Sequence, residues 1–259
     1  MGYAKAENEK EKENTAQALR AQYKASRERS FAVSVLIPFT IPQGLRKGEG
    51  NMKSLFTRCL NAKYISTAKN GNYAIEVEGD TLYILFQWSK GFWDWVHNFL
   101  FPAKPYKRMS CLWFCHRGFL KVWKAMRDEI EWRVKNALSN NDDVKKIVCV
   151  GYSHGGALAL LATEDMEFLY GDTLTVEGYG FGAPRVLWGF VPKAVKNRLQ
   201  AFRVIRNIPD IVTHLPPVLL GFRHVASPLK VGKRGRYGLF KAHYPASYIT
   251  ELNSYTREV

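Results

Sequence analysis

Apolar residues along the chain form strand-like and helix-like patterns in turn. Residues 81–86 and 147–150 are short, almost entirely apolar runs, which are typical of strands buried on both faces. Residues 118–138 place apolar side chains three and four positions apart, which predicts an amphipathic helix. Strand-like runs at 173–181 and 201–205 enclose a further helix-like stretch. This alternation predicts an α/β fold, with a mostly parallel central sheet and helices on both faces.

The amino-terminal part of the chain has a different pattern. Residues 1–30 mix Glu, Lys and Arg with Ala and Gln, so we expect a charged helical or flexible extension. Residues 31–259 would then form a single domain, which is a length that one α/β domain can reach. Within it, residues 55–68 have a helix-like pattern. A Gly-Asp pair between the β-rich runs 73–78 and 81–86 predicts a hairpin.

Residues 88–114 contain an unusual density of Trp and Phe, interrupted by glycine and proline. Part of this stretch is expected to be core. The same composition also suits a mobile apolar cover over a binding site, and the residues alone leave both interpretations open.

The pattern that points to chemistry is Gly151-x-Ser153-x-Gly155. It lies between an apolar run and an Ala- and Leu-rich segment, which predicts a strand, a sharp turn with serine at its tip, and a helix. Gly-x-Ser-x-Gly alone is a loose pattern that also occurs in structural turns, but this context favours a nucleophile. Backbone N–H groups at the helix start could then stabilise an oxyanion.

A serine nucleophile needs a histidine to accept its proton and an acid to orient that histidine. After a turn of this kind the expected chain order is serine, acid, histidine. Asp210 is the only carboxylate between Gly178 and Thr250 and follows the strand-like run 201–205. It is therefore the preferred acid, and a turn-capping aspartate is the alternative.

Three histidines follow the candidate acid. His214 is only four residues beyond it and would have to fold back sharply, and His224 lies in a strand-like run. His243 follows a Gly- and Lys-rich loop, so it is the preferred base, with His224 as the second choice. We expect the backbone N–H of His154 to contribute to an oxyanion hole and its side chain to shape the pocket.

The chain is strongly basic, with a formal net charge of +15 and a pI near 9.7. This charge indicates an anionic partner, either nucleic acid or a negatively charged lipid surface, and composition does not choose between them. No segment has the apolar length of a membrane span, and residues 5–30 lack the apolar core of a secretory signal. We therefore expect a cytoplasmic protein that could contact a membrane peripherally. Nothing in the sequence indicates an oligomeric state.

No metal or organic cofactor is expected. Cys111-x3-Cys115-His116 has no second pair of ligands, so packed thiols are preferred over a metal site. Gly178-x-Gly-x-Gly ends a strand and meets a proline, which argues against a dinucleotide site.

Several motifs resemble one known family in the order that the family has them. They are Gly151-Tyr-Ser-His-Gly-Gly-Ala-Leu, Phe181-Gly-Ala-Pro-Arg-Val, Asn207–Pro217, Ala242-His-Tyr and His116-Arg-Gly-Phe. The chain resembles the class 3 lipases, the fungal triacylglycerol lipase-like branch of the α/β-hydrolases. The first motif is similar to their usual Gly-His-Ser-Leu-Gly-Gly-Ala.

The resemblance implies an α/β-hydrolase fold with a nucleophile elbow and a triad of Ser153, Asp210 and His243. It implies a lid at residues 90–109 and an oxyanion hole formed by His154 and Ser89. The family's Phe-Arg-Gly-Thr is replaced here by Phe-Gln-Trp-Ser at 86–89, which is a departure at that hole. The expected substrate or lid residues are Trp88, Phe92, Trp93 and Trp95.

The sequence therefore predicts a serine esterase that hydrolyses acylglycerol-like lipid esters through an acyl-enzyme. A phospholipase or lysophospholipase on the same scaffold is the alternative. A non-catalytic nucleic-acid-binding protein is less favoured, because the basic run Lys230–Arg236 lacks interleaved stacking aromatics.

Overall fold

A computed structural model describes residues 52–67, 71–88, 103–108 and 111–255. In chain order the strands are β1 (Ile65–Ser66), β2 (Asn72–Glu78), β3 (Thr81–Phe86), β4 (Ala103–Arg108), β5 (Cys111–His116), β6 (Lys146–Tyr152), β7 (Thr175–Phe181), β8 (Leu187–Trp188), β9 (Phe202–Asn207), β10 (Phe222–Arg223) and β11 (Leu229–Val231). The helices are α1 (Met52–Asn61), α2 (Arg117–Ser139), α3 (His154–Tyr170), α4 (Lys193–Arg198) and α5 (Pro245–Tyr255).

The central sheet has seven strands in the order β1-β2-β3-β6-β7-β9-β11. The first two pairings are antiparallel, and the strands from β3 to β11 run parallel. The predicted hairpin is present as β2 and β3, joined through Gly79 at a positive φ of 57°. The mostly parallel sheet confirms the predicted fold class.

The core lies on both faces of this sheet. In β6 the side chains of Ile147 and Cys149 pack on the face covered by α2 and α3. The alternate residues Val148 and Val150 pack on the opposite face, against α1 and α5. The apolar run of β6 is therefore buried on both faces of the sheet, as the sequence predicted.

A second, antiparallel sheet has the order β10-β8-β5-β4. It buries Tyr106 and Trp113, so part of the aromatic stretch belongs to the core. Of the predicted lid at residues 90–109, only 103–108 are described, and they form β4. The remainder of that lid and the predicted extension at residues 1–30 lie outside the described residues. The domain boundaries stay predictions.

The helix predicted at residues 55–68 is shorter and begins earlier than expected. It ends at Asn61, and Ile65–Ser66 pair with Asn72 and Tyr73 as an edge strand. The spacing of apolar residues did not predict this strand, because the strand is stabilised by pairing with β2, which is a contact outside the segment itself. Among the described residues, no helix is long and apolar enough to cross a membrane.

Candidate active site

Ser153 lies at a sharp turn between the last residue of β6 and the first residue of α3. Its φ of 56° and ψ of −122° place a non-glycine residue in a strained conformation. A Cβ at Gly151 would lie 2.0 Å from the Gly155 carbonyl oxygen, and a Cβ at Gly155 would lie 2.3 Å from the Phe86 oxygen. Both glycines are therefore required by backbone contacts, which explains the Gly-x-Ser-x-Gly pattern.

The three side chains predicted to form the triad lie together. His243 Nε2 is 2.8 Å from Ser153 Oγ, and His243 Nδ1 is 2.8 Å from Asp210 Oδ2. Ser153 and His243 are each only 4% exposed, and Asp210 is fully buried. When Nδ1–H donates to the carboxylate, Nε2 is left to accept the serine hydroxyl proton.

The buried carboxylate of Asp210 receives further donors. The Tyr248 hydroxyl donates to Oδ2 at 2.7 Å, and the Val212 N–H donates to Oδ1 at 2.9 Å. The same hydroxyl accepts from the Asn207 N–H at 3.1 Å. Burial, and then the negative charge of Asp210, raise the pKa of Tyr248 well above its usual value. Tyr248 therefore stays protonated and remains a donor.

The imidazole of His243 is held by its surroundings. The Tyr152 ring stacks on it, with centroids 5.2 Å apart and planes 25° apart, and the Tyr152 hydroxyl donates to the His243 carbonyl. Asn207 Nδ2 donates to the Ala242 carbonyl at 3.0 Å, which ties the end of β9 to the histidine segment. These contacts restrict the ring to the position between serine and acid.

The sequence did not single out Tyr152 or Tyr248. Tyr152 precedes the serine directly, and this adjacency is the only signal that could have drawn attention to it. Tyr248 is an ordinary apolar-face position of α5, and its role depends on how that helix packs against the end of β9.

The other two candidate histidines are engaged elsewhere. His224 Nε2 lies 2.8 Å from the Thr213 carbonyl oxygen. His214 accepts from the Arg206 guanidinium at 3.2 Å. Burial lowers the pKa of His224 to about 4, so its ring is neutral and donates to the carbonyl. The structure therefore brings His243, and neither of these rings, to Ser153.

His154 is the first residue of α3, as the oxyanion-hole prediction requires. Its ring is buried against Phe119, with centroids 5.6 Å apart. Burial, and then the nearby His116, lower the pKa of His154 to about 4, so the ring is neutral at physiological pH. The side chain is packed on Phe119, and its predicted part in shaping the pocket stays a prediction.

The second predicted oxyanion donor, Ser89, lies outside the described residues. The two residues before it, Gln87 and Trp88, which replace the family's Arg and Gly, are described. The side-chain oxygen of Gln87 accepts from Asn72 Nδ2 at 2.5 Å, and the backbone N–H of Gln87 donates to the Asn72 carbonyl at 3.0 Å. Trp88 is half-buried and packs on Tyr152 with centroids 6.0 Å apart. The remaining predicted lid residues also lie outside the described residues: Phe92, Trp93 and Trp95.

The cysteine-rich corner is occupied by packing and capping contacts. Cys115 is fully buried in β5, and His116 Nδ1 accepts from the Gly118 N–H at 3.2 Å to cap α2. Burial raises the pKa of Cys149 to about 12, which keeps that thiol protonated. Within the described part of the chain, no group of three or more His, Cys, Asp or Glu residues is arranged to hold a metal ion.

The known proteins to which this chain is similar in sequence include several fungal lipases. The chain is 31% identical over 133 residues to secreted mono- and diacylglycerol lipase 1 of Fusarium solani, which covers 51% of this chain and 38% of the relative. It is 31% identical over 158 residues to a lipase of Rhizomucor miehei, which covers 58% of this chain and 42% of the relative. The chain thus spans less than half the length of these relatives.

Solved structures share the fold. Lipase II from Rhizopus niveus superimposes with a TM-score of 0.57 at 22% identity, over 69% of this chain and 67% of that one. A mono- and diacylglycerol lipase from Aspergillus oryzae superimposes with a TM-score of 0.56 at 23% identity, over 70% of this chain and 66% of that one. These likenesses show that the molecule has the α/β-hydrolase fold.

The comparisons contradict the predicted cytoplasmic location. Relatives from Fusarium solani, Penicillium cyclopium and Malassezia globosa are named as secreted lipases. The prediction depended on the absence of an apolar core in residues 5–30. The composition of one segment is a weaker guide to the compartment than these relatives, and the prediction is wrong.

The family resemblance is confirmed. The model of the family described as lipase (class 3) matches residues 83–220, which is more than half of the chain and includes both Ser153 and Asp210. His243 follows this range, in the position that the serine, acid, histidine order requires. The chain belongs to the class 3 lipase family.

Proposed function

We propose that this protein is a serine hydrolase that cleaves carboxylic esters of acylglycerol-like lipids through an acyl-enzyme. The observation that supports it best is the continuous hydrogen-bonded series from Asp210 through His243 to Ser153, at 2.8 Å for each contact of the imidazole. A serine hydroxyl in this arrangement can be deprotonated as it attacks.

In the proposed first step, Ser153 Oγ attacks the ester carbonyl carbon and its proton passes to His243 Nε2. The imidazolium then donates this proton to the leaving alkoxide as the carbon–oxygen bond breaks, which leaves an acyl group on Ser153. Asp210 stabilises the imidazolium and fixes its tautomer throughout. Water then attacks the acyl carbon as one of its protons passes to His243 Nε2, and the imidazolium returns that proton to Ser153 Oγ as the acyl–oxygen bond breaks and the fatty acid leaves.

The negative charge on the carbonyl oxygen needs donors in both steps. The backbone N–H of His154, at the start of α3, is the proposed first donor, and Ser89 is the proposed second. Each donor of this kind stabilises the transition state by about 3 kcal/mol. The positive end of the α3 dipole, directly behind Ser153, acts in the same direction.

Lipid esters are the proposed substrates for two reasons. Relatives of this chain are named as mono- and diacylglycerol lipases. The net charge of +15 also suits an anionic lipid surface, where peripheral contact would supply the substrate. The aromatic residues of the predicted lid would then cover the acyl chain.

A phospholipase activity on the same site is the second candidate. It is favoured by the segment 211–250, which contains six Lys and Arg residues and no Asp or Glu, so that an anionic head group would meet attractive charge. Fatty-acid release from triglyceride emulsions and from phosphatidylglycerol vesicles, measured side by side, separates the two candidates.

The decisive experiment is labelling with a fluorophosphonate probe, which reacts with activated serines. Wild type should be labelled and Ser153→Ala should not, and kcat on a soluble ester should fall by about 10⁶-fold in that variant. Ser66→Ala, which changes an exposed serine of β1, should label like wild type. A folded wild type that resists the probe would contradict the proposal.

A further inference from the structure

A loop at the carboxyl edge of the central sheet is both cationic and apolar. This docking loop, residues 232–241, follows β11 and leads directly to the histidine of the triad. Lys233 and Arg234 are exposed. Leu239 and Phe240 are also exposed, by 54% and 46%, although their side chains are apolar. Exposure of both kinds of side chain on one short loop is typical of a contact surface.

The charge of the docking loop is only partly balanced within the molecule. Arg236 forms an ion pair with Glu251 at 3.2 Å. Among the ion pairs of the described residues, none includes Lys233 or Arg234, and the sequence holds no carboxylate between Ile211 and Thr250. These two cations therefore produce a positive field that suits an anionic partner.

A second exposed apolar feature lies at the same edge of the sheet. The apolar tip, Val218–Leu220, is a short 3₁₀ turn in the connection that follows β9. Its residues are 59%, 98% and 48% exposed, so the side chain of Leu219 is almost completely accessible. Trp188 Nε1 donates to the Leu220 carbonyl at 2.7 Å, which holds the turn in place. Loops that follow parallel strands share one edge of a sheet, so the tip and the docking loop face the same side.

The docking loop is also fixed to the site. The Leu239 carbonyl accepts from the Ile211 N–H at 3.3 Å, next to the acid of the triad. The Gly238 carbonyl accepts from the Ala242 N–H at 2.9 Å, next to the histidine. A surface bound by the loop would therefore lie beside the entrance to the active site.

We propose that the docking loop and the apolar tip bind an anionic lipid surface. Lys233 and Arg234 attract the head-group phosphates, and Leu219, Leu239 and Phe240 enter the region between head groups and acyl chains. Aliphatic side chains such as Leu219 do not stack on bases, so a lipid surface fits these residues better than a nucleic acid. The role of the surface in presenting substrate rests on the proposed esterase function, whereas the binding itself does not.

Binding is tested by sedimentation with vesicles of phosphatidylcholine, with and without phosphatidylglycerol. The Ser153→Ala chain is used, so that lipid is not consumed. Reversal of both cations, Lys233→Glu with Arg234→Glu, should weaken binding to the anionic vesicles by roughly 30-fold or more, as expected for two basic residues near the surface. Higher salt should weaken the parent's binding in the same direction.

A matched control changes the net charge by the same amount at the opposite edge. Lys145 precedes β6 and Lys196 precedes β9, and both are exposed. Lys145→Glu with Lys196→Glu should bind within about twofold of the parent, because those charges face away from the lipid. For the apolar tip, Leu219→Ser should weaken binding, whereas Val77→Ser, near the β2–β3 turn at the amino edge, should not.

Several outcomes would overturn the docking proposal. Equal loss in the two charge-reversed variants would show an unspecific effect of net charge. Loss of duplex DNA binding with vesicle binding unchanged would assign the loop to nucleic acid, and a shift in oligomeric state would assign it to a second copy of the chain.

Hydrolysis of a soluble short-chain ester distinguishes this proposal from the proposed function. The variant with Lys233→Glu and Arg234→Glu, made in the active chain, should hydrolyse that ester like wild type. If wild type fails to hydrolyse the ester while vesicle binding behaves as expected, the esterase proposal fails and the docking surface stands.

Discussion

Tyr248 is as closely connected to the acid as the histidine is. Its hydroxyl lies 2.7 Å from the carboxylate of Asp210, and it also accepts from the Asn207 N–H at the end of β9. A buried carboxylate needs such donors because it has lost its water. At the scale of the residue, Tyr248 therefore acts as a positioning residue for the proposed triad.

Tyr248→Phe should lower kcat on a soluble ester by about tenfold and leave KM unchanged, because one hydrogen bond to a charged group is lost without altering substrate contacts. Steady-state kinetics measure both values. Tyr179→Phe is the control, since it removes a hydroxyl that donates to Glu177, outside the triad. Equal loss in both variants, or a rise in KM alone, would argue against a positioning role.

The three residues of the proposed triad could be predicted from the sequence to lie together, and the residues that contact them could not. Asp210 stood out because few carboxylates follow the serine, and His243 because its position after a loop made it preferable to His214 and His224, with His224 kept as the second choice. Tyr152 and Tyr248 have no such signature. A tyrosine hydroxyl contributes to the site only through tertiary packing, which no local pattern encodes.

At the scale of the element, the elbow depends on a close approach of β3 to the start of α3. A Cβ at Gly155 would lie 2.3 Å from the Phe86 carbonyl oxygen, and a Cβ at Gly151 would lie 2.0 Å from the Gly155 carbonyl oxygen. The hairpin of β2 and β3 was predictable because its turn is local. The edge strand β1 was not, because it forms only by pairing with β2.

Gly155→Ala should lower the free energy of unfolding by about 3 kcal/mol, since its Cβ would meet backbone oxygens that have little room to move. Urea unfolding followed by circular dichroism measures the change. At Gly238 a Cβ would meet nothing within 4 Å, so Gly238→Ala should be neutral or slightly stabilising. Similar losses in the two variants would refute the close-approach argument.

At the scale of the whole molecule, buried histidines link the stability of the fold to pH. The pKa of His154 is about 4 in the folded chain, against an ordinary value of 6.5, chiefly because of burial. The unfolded chain therefore binds a proton more readily. The stabilising contribution of neutral His154 is complete above pH 6.5 and is lost progressively as the pH falls towards 4.

Between pH 7.5 and 5.5 this single group should lower the free energy of unfolding by about 1.4 kcal/mol. His154→Leu replaces the titrating ring with an apolar side chain. Over the same pH interval the free energy of unfolding of this variant should therefore fall by about 1.4 kcal/mol less than that of wild type. Urea unfolding at the two pH values measures the difference. Parallel pH dependence in wild type and variant would contradict the assignment.

The three residues of the proposed triad follow three different strands, and the last of these strands lies at the edge of the sheet. Ser153 and Asp210 follow β6 and β9, whereas His243 follows β11, which pairs with β9 over only three residues. The serine and histidine are 90 positions apart in sequence. A chain that has paired β6, β7 and β9 without β11 would hold its nucleophile and its acid but would lack the strand that leads to its base. Under the proposed assignment, hydrolysis therefore requires the short edge strand to be docked, and a chain in which β11 is detached should not attack lipid.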